Sequence, residues 1–381
     1  MDDVDRVLGG GLVPGSVVLL AGEPGIGKST LLLQMIAGLA GCGASTFLVT
    51  GEESLAQVAR RAARMGVATD AVEAAATSSL RIVLETVQDA CPDVLIVDSI
   101  QTVADEDISA SPGSVGQVRG CAAALCRMAK GTDMAVILVG HVTKDGQVAG
   151  PKILEHMVDA VVTLEGDRSG SLRLLRVAKN RYGSCEETAV MSMGSKGLDP
   201  VPDPSTVLLA DRASGAAGSA IFPTCEGSRA MLLEVQALVT PSQVSRRVAI
   251  GVDQRRLSLL LGVLTQHAGL RFEDHDVFLA VAGGLALRDP SADLAACLAI
   301  YSAQRSEAID ASTVAFGEVG LGGEVRRVPG TARRLHEALR LGFMRAVVPR
   351  GSPAIEGLET REVATVRDAL VLVQRARREA A

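Results

Sequence analysis

The sequence of 381 residues is poor in aromatics: they make up 2%, with two tyrosines, six phenylalanines and no tryptophan. Rows of exposed rings on which successive bases stack are therefore excluded as the main means of holding a single strand. No two cysteines stand at C-x-x-C spacing; Cys42, Cys91, Cys121, Cys126, Cys185, Cys225 and Cys297 are scattered. Buried reduced thiols are expected rather than a zinc site or a disulfide framework. A long apolar run is also missing. The uncharged stretch from Leu31 to Gly51 is broken by Gly, Ser, Thr and Gln, so it reads as buried core, and no segment is expected to cross a membrane. Met1 to Arg6 is acidic and has no apolar secretory region, from which a cytoplasmic location is expected. Positive charge is not in excess, the formal balance being −6, so any surface for a polyanion must be a local patch. Lysine is absent from residues 201–381, where 21 arginines face 20 Asp plus Glu; all six lysines precede them.

With 48% apolar and 22% charged residues, the chain can bury two ordinary cores. Between residues 17 and 165, β-branched runs alternate with longer helical stretches. The runs are Val17 to Ala21, Thr46 to Thr50, Val94 to Asp98, Ala135 to Gly140 and Ala160 to Leu164. This is the rhythm of a parallel sheet covered by helices, an α/β fold. Strands are expected next over Leu172 to Ala178 and Thr188 to Met193. A stretch from Gly194 to Ser219 carrying Pro200, Pro202 and Pro204 then reads as a linker with some local structure. Beyond it, strands (Met231 to Val239, Val277 to Ala282, Thr313 to Val319, Ala346 to Pro349) mix with helices (Gln254 to His267, Ala292 to Gln304, Thr331 to Leu341). The expected division is an α/β domain over 1–196, a linker over 197–220 and an α+β domain over 221–381.

The strongest local signal is Gly22-Glu23-Pro24-Gly25-Ile26-Gly27-Lys28-Ser29, which matches G-x-x-x-x-G-K-[ST] and lies between a strand and a helix beginning near Ser29 and Thr30. Glycines let backbone N–H groups turn in around a phosphate chain, and the helix N-terminus adds its dipole. Lys28 can reach the outer phosphates, and Ser29 can ligate Mg²⁺. ATP and Mg²⁺ are the expected ligands. Val94 to Asp98 is an apolar strand ending in a carboxylate, placing Asp98 near the metal, directly or through water. A strand also leads into Thr50-Gly-Glu52-Glu53, so an acid emerges where open α/β sheets bind ligands. Glu52 is the candidate base that polarises water, with Ser54 or a glutamate capping the next helix. His141 ends another strand at that edge and is a candidate sensor of the γ-phosphate.

Together with Lys179-Asn-Arg181-Tyr-Gly183, these residues resemble the bacterial DNA repair protein RadA family, also called Sms. The match includes Gly10-Gly-Leu-Val-Pro-Gly15, Gly51-Glu-Glu-Ser54, Leu95-Ile-Val-Asp-Ser99 and Gly140-His-Val-Thr-Lys-Asp-Gly146, and continues to the second domain. The resemblance implies a RecA-like ATPase that forms hexameric rings, binds single-stranded DNA and branched recombination intermediates, drives branch migration, and works with the RecA recombinase. It further implies that Lys179 and Arg181 reach a neighbour's nucleotide, and that Lys144 and Lys152, with Arg181, contact DNA along its backbone. The family's four-cysteine zinc module has no counterpart among these cysteines.

The second domain resembles the Lon protease domain, of the ribosomal S5 domain 2-like fold, in Asp289-Pro-Ser-Ala-Asp-Leu294 and Gly317-Glu-Val-Gly-Leu-Gly-Gly-Glu324. Ser291 falls at the Lon nucleophile. Such a serine needs a lysine base, whereas the matching segment reads Pro329-Gly-Thr-Ala-Arg-Arg334, and arginine stays protonated. Proteolysis is therefore not expected, and Ser291 reads as a helix N-cap. Arg246, Arg247, Arg326, Arg327, Arg333 and Arg334 are candidates for phosphate contact or inter-subunit pairing. The readings set against a DNA motor are a Lon-type ATP-dependent protease and a RecA-fold signalling ATPase whose partners are proteins.

Overall fold

The computed structural model describes residues 2–68, 72–141, 151–166, 172–213, 215–227, 229–285, 287 and 289–380, and it divides into two compact units, Met1–Pro202 and Asp203–Ala381. The first runs α1 (Asp2–Val7), β1 (Val17–Gly22), α2 (Lys28–Gly41), β2 (Thr46–Thr50), α3 (Leu55–Met65), β3 (Glu73–Ala76), α4 (Leu80–Ala90), β4 (Val94–Asp98) and α5 (Val115–Thr132). It continues with β5 (Ala135–His141), α6 (Pro151–Leu154), β6 (Ala160–Glu165), β7 (Leu172–Asn180), β8 (Thr188–Gly194) and β9 (Gly197–Pro200).

The nine strands form one sheet in the order β3-β2-β4-β5-β1-β6-β7-β8-β9, parallel through β6 and antiparallel from β7 onward. The central strands β1, β4 and β5 are buried up to their last residue because both faces are covered. Alternate side chains go to opposite cores. Val18, Leu20, Ile96 and Ile137 pack with Leu31, Leu32 and Val58 of α2 and α3. Val17, Leu19, Leu95 and Leu138 pack with Val83, Val118 and Leu125 of α4 and α5. All six parallel strands end at the same edge, which therefore collects the loops after β1, β2, β4 and β5.

The second unit contains α7 (Pro204–Leu209), β10 (Ser219–Glu226), β11 (Arg229–Pro241), β12 (Arg247–Ile250), α8 (Gln254–Ala268), β13 (His275–Val281) and α9 (Asp293–Arg305). There follow β14 (Thr313–Ala315), β15 (Glu318–Val319), β16 (Val325–Arg326), α10 (Thr331–Arg340), β17 (Arg345–Pro349), β18 (Glu359–Val363) and α11 (Val366–Ala380). A mixed sheet, β12-β13-β11-β10-β14-β17-β18, carries α9 against β11 and β10. Leu294 through Ser302 of α9 are buried, so this helix is the core's centre.

Four expectations are corrected. Residues 197–220 carry more than the local structure expected of a linker: β9 extends the first sheet, with Gln34 exchanging hydrogen bonds of 3.0 and 2.9 Å with the Leu198 backbone. The division between units falls after Pro202, and α7 and the start of β10 belong to the second. The prolines punctuate elements here, since Pro200 closes β9 and Pro204 opens α7 behind the N-cap Asp203. The cysteines are free, but Cys42, Cys91 and Cys185 are exposed. Ser291 is not the N-cap. Asp289 accepts from the Ser291 backbone N–H at 2.9 Å because Pro290 takes the first position of the turn, and the Ser291 hydroxyl is buried without a partner among the described residues.

Candidate active site

β1 delivers the chain to the ligand edge at Gly22, where an added Cβ would lie 2.6 Å from the Leu164 carbonyl oxygen of β6. Gly27 turns the chain into α2 at φ +116°, a conformation suited to glycine. No side chain caps α2 and no acid lies in its first turn, so its N–H groups remain for an anion. Lys28 is buried, and its Nζ donates to the carbonyls of Gly22 at 2.8 Å and Glu23 at 3.0 Å. Ser29 Oγ donates to Asp98 Oδ2 at 2.8 Å. Burial pushes the Asp98 carboxyl above its ordinary value, with the nearby Glu52 charge adding to it and the Ser29 hydrogen bond opposing. A carboxylate so placed gains from a cation.

The Thr50 hydroxyl bonds the Glu53 backbone, and Arg61 pairs with the Glu53 carboxylate, so Glu53 serves the fold. Ser54 and Gln57 form a capping box on α3. Glu52 is left at the edge, 44% exposed at its side chain. Ser99 Oγ donates to its Oε1 at 2.8 Å, and His141 Nε2 meets the same oxygen at 2.8 Å. Burial pushes the Glu52 carboxyl up, but hydrogen bonds from Ser99 and His141 outweigh it, and the net shift is downward. Glu52 is thus ionised at neutral pH. Beside it, His141 Nδ1 and Gln101 Oε1 are buried without partners among the described residues, as expected where a polar ligand completes a site. The open helix end, Lys28, the Ser29–Asp98 pair and these orphan atoms fit a triphosphate with Mg²⁺.

Lys28, Ser29, Glu52, Asp98 and His141 therefore meet at one edge. Lys179 and Arg181 do not. β7 runs antiparallel to β6, with Asn180 opposite Ala160, so both cations lie at the edge where β1 begins. Val17 to Gly22 spans about 17 Å at the ordinary strand rise, further than an arginine extends. Lys179 Nζ donates to the carbonyls of Glu155 (2.6 Å) and Val158 (2.7 Å), and Arg181 pairs with Asp159 at 2.9 Å. Lys144 lies outside the described residues, as does the side chain of Lys152.

The model of the AAA domain family matches residues 3–147, and the family described as subunit ChlI of Mg-chelatase matches residues 254–352. The DNA repair protein RadA of Pseudomonas aeruginosa is 47% identical over 373 residues, which cover 97% of this chain and 82% of that protein. This chain belongs to the RadA family of bacterial DNA repair proteins. RadA of Escherichia coli is 46% identical over 373 residues, covering 97% and 81%. Among solved structures, a KaiC-like protein from Pyrococcus horikoshii OT3 matches with a TM-score of 0.44 at 22% identity, covering 52% of this chain and 94% of that one.

Reading the sequence missed the roles of Ser99 and Gln101, which follow Asp98, and of Asp159, which precedes β6. Their signal was a polar residue next to a run of apolar ones. It missed Arg173 too, which is buried in β7 and donates from Nε to the Ile26 carbonyl of the phosphate loop at 3.0 Å. Of the six candidate arginines of the second unit, Arg334 is unavailable. It is buried, pairs with Asp289 at 2.6 Å and lies 5.6 Å from the Phe222 ring. Among the described residues no helix is long and apolar enough to cross a membrane.

Proposed function

We propose that this RadA-family ATPase is a DNA motor whose copies assemble head to tail into a hexameric ring, hydrolyse ATP at each junction and drive branch migration of recombination intermediates. The observation that carries the reading is the separation of Lys179 and Arg181 from the phosphate loop of their own chain. Two cations of a phosphate-site motif that cannot serve their own nucleotide fit one held by the next copy, as a heterologous interface allows.

In this reading Lys28 and the first turn of α2 hold the β- and γ-phosphates of ATP, while Ser29 and Asp98 hold Mg²⁺. When bound, the metal neutralises charge on the phosphate oxygens. With Ser99 donating to Oε1 of Glu52, Oε2 can accept a proton from water attacking the γ-phosphorus, ADP leaving on the opposite side. His141 exchanges its Glu52 contact for the γ-phosphate and passes the change into the following chain. Lys144 and Lys152 contact the DNA backbone.

Glu52→Gln keeps an oxygen for Ser99 and His141 but removes the base. Hydrolysis should fall by about 10²–10⁴, read by single-turnover phosphate release, with ATP binding retained in a fluorescent-nucleotide titration. Because the wild-type carboxyl is held below its ordinary value, its base form persists on acidification, and the acid limb it sets should lie lower than an unperturbed glutamate would give.

The second unit is read as an assembly and DNA-facing scaffold. Ser291 is buried, and the cation near its Asp289 partner is Arg334, which cannot take a proton. Binding of labelled single-stranded DNA with a non-hydrolysable ATP analogue tests the motor. It should be strong at low salt, weaken steeply as salt rises, and be matched by DNA-stimulated hydrolysis. No binding at low salt would favour the signalling-ATPase reading.

A further inference from the structure

Asp159 stands immediately before β6, with 3% of its surface exposed, and ties three elements together. Its backbone N–H donates to the Val17 carbonyl at 2.9 Å, and its carbonyl accepts from the Arg181 N–H at 3.0 Å. Its carboxylate is divided: Oδ2 accepts from the Val17 N–H at 3.0 Å and Oδ1 from Arg181 Nη1 at 2.9 Å. The aspartate is thus immobilised at the start of β1. The arginine that it holds has a side chain 49% exposed.

We infer that Asp159 is the positioning residue for Arg181, holding one branch of the guanidinium so that the rest is presented to a neighbouring copy's triphosphate. This rests on the action between copies proposed above. Only Nη1 of the Arg181 fork has a partner among the described residues, which leaves Nε and Nη2 to donate side by side. That paired geometry matches phosphate oxygens. A free arginine at the surface would sample many rotamers, whereas one tethered to a buried carboxylate keeps its direction. Asn180 fixes the same turn from its other side, donating to the Leu8 carbonyl at 3.0 Å and accepting from the Tyr182 N–H at 2.9 Å. The backbone of the turn is therefore held by Asn180 and by the main chain of Asp159, and what the Asp159 carboxylate adds is the aim of the side chain.

The variant to use is Asp159→Asn, whose amide oxygen still accepts from Val17 while the charge facing Arg181 is lost. Nucleotide affinity should stay within twofold of wild type, and hydrolysis should fall at least tenfold. Mixing it with inactive Lys28→Ala should restore hydrolysis, because Lys28→Ala copies supply a held Arg181 to the intact phosphate loops of Asp159→Asn copies. In an Arg181→Ala background, Asp159→Asn should cost nothing further. Asp159→Glu, which keeps the charge, should retain part of the activity that Asn loses.

Equal loss in Asn and Glu, a lowered melting temperature with hydrolysis unchanged, or a defect that multiplies with Arg181→Ala would assign Asp159 to the fold and overturn the inference. Overturning it would also follow if Arg181→Ala, but not Asp159→Asn, were rescued by Lys28→Ala. If neither mixture recovered, action between copies would itself fail, and the inference with it.

Discussion

Lys28→Ala is expected to reduce ATP hydrolysis by at least about a hundredfold, the scale on which removing one preorganised donor acts. Lys28 is 4% exposed and stands on the first turn of α2, with Nζ directed onto the carbonyls of Gly22 and Glu23 at 2.8 and 3.0 Å. Burying an ammonium is costly without partners. Here the loop supplies them, and a phosphate chain entering the same loop offers stronger ones. Alanine removes the donor from a site that excludes much of the water. Phosphate release under saturating ATP, alongside a nucleotide titration, measures the loss. A variant within a few-fold of wild type would place hydrolysis outside this loop.

Arg181→Ala is expected to cost hydrolysis roughly 10³-fold, the lower range for an arginine completing a phosphoryl-transfer site from a neighbour. Its own nucleotide site should stay intact, because the side chain lies at the far edge of the sheet and contacts none of Lys28, Ser29, Asp98 or Glu52. ATP affinity should therefore hardly change while turnover collapses. Titrated into wild type, each variant copy should silence the one junction its side chain would complete, while its own phosphate loop still fires against a wild-type neighbour's Arg181.

Much of the first unit was legible because its signals are local. The glycines of the phosphate loop, the apolar runs of β1, β4 and β5 and the carboxylate closing β4 are each read from a few consecutive residues. Glu52 was preferred over Glu53 from the sequence, but the contacts that separate them are not local: Ser99 and His141 are 47 and 89 positions from Glu52, and Arg61 takes Glu53. Asp159 shows the same limit, since its partners Val17 and Arg181 are 142 and 22 positions away.

In the second unit, β10 was not among the expected strands, and its Pro223 argues against a central strand. The fold admits it past Ile221, the one residue that β10 pairs with β14. The prolines near residue 200 misled in the opposite sense, because proline marks the ends of elements as readily as the absence of them.

The central claim is that each triphosphate is shared, Lys28 coming from one copy and Arg181 from the next. Mixing Lys28→Ala with Arg181→Ala in equal amounts tests it. Each alone should be inactive, whereas roughly a quarter of the junctions in a random mixture would join an intact loop to an intact arginine across a heterologous interface. Recovery of hydrolysis towards that fraction is the predicted result. A mixture as inactive as its components, in rings shown to contain both variants, would contradict the account.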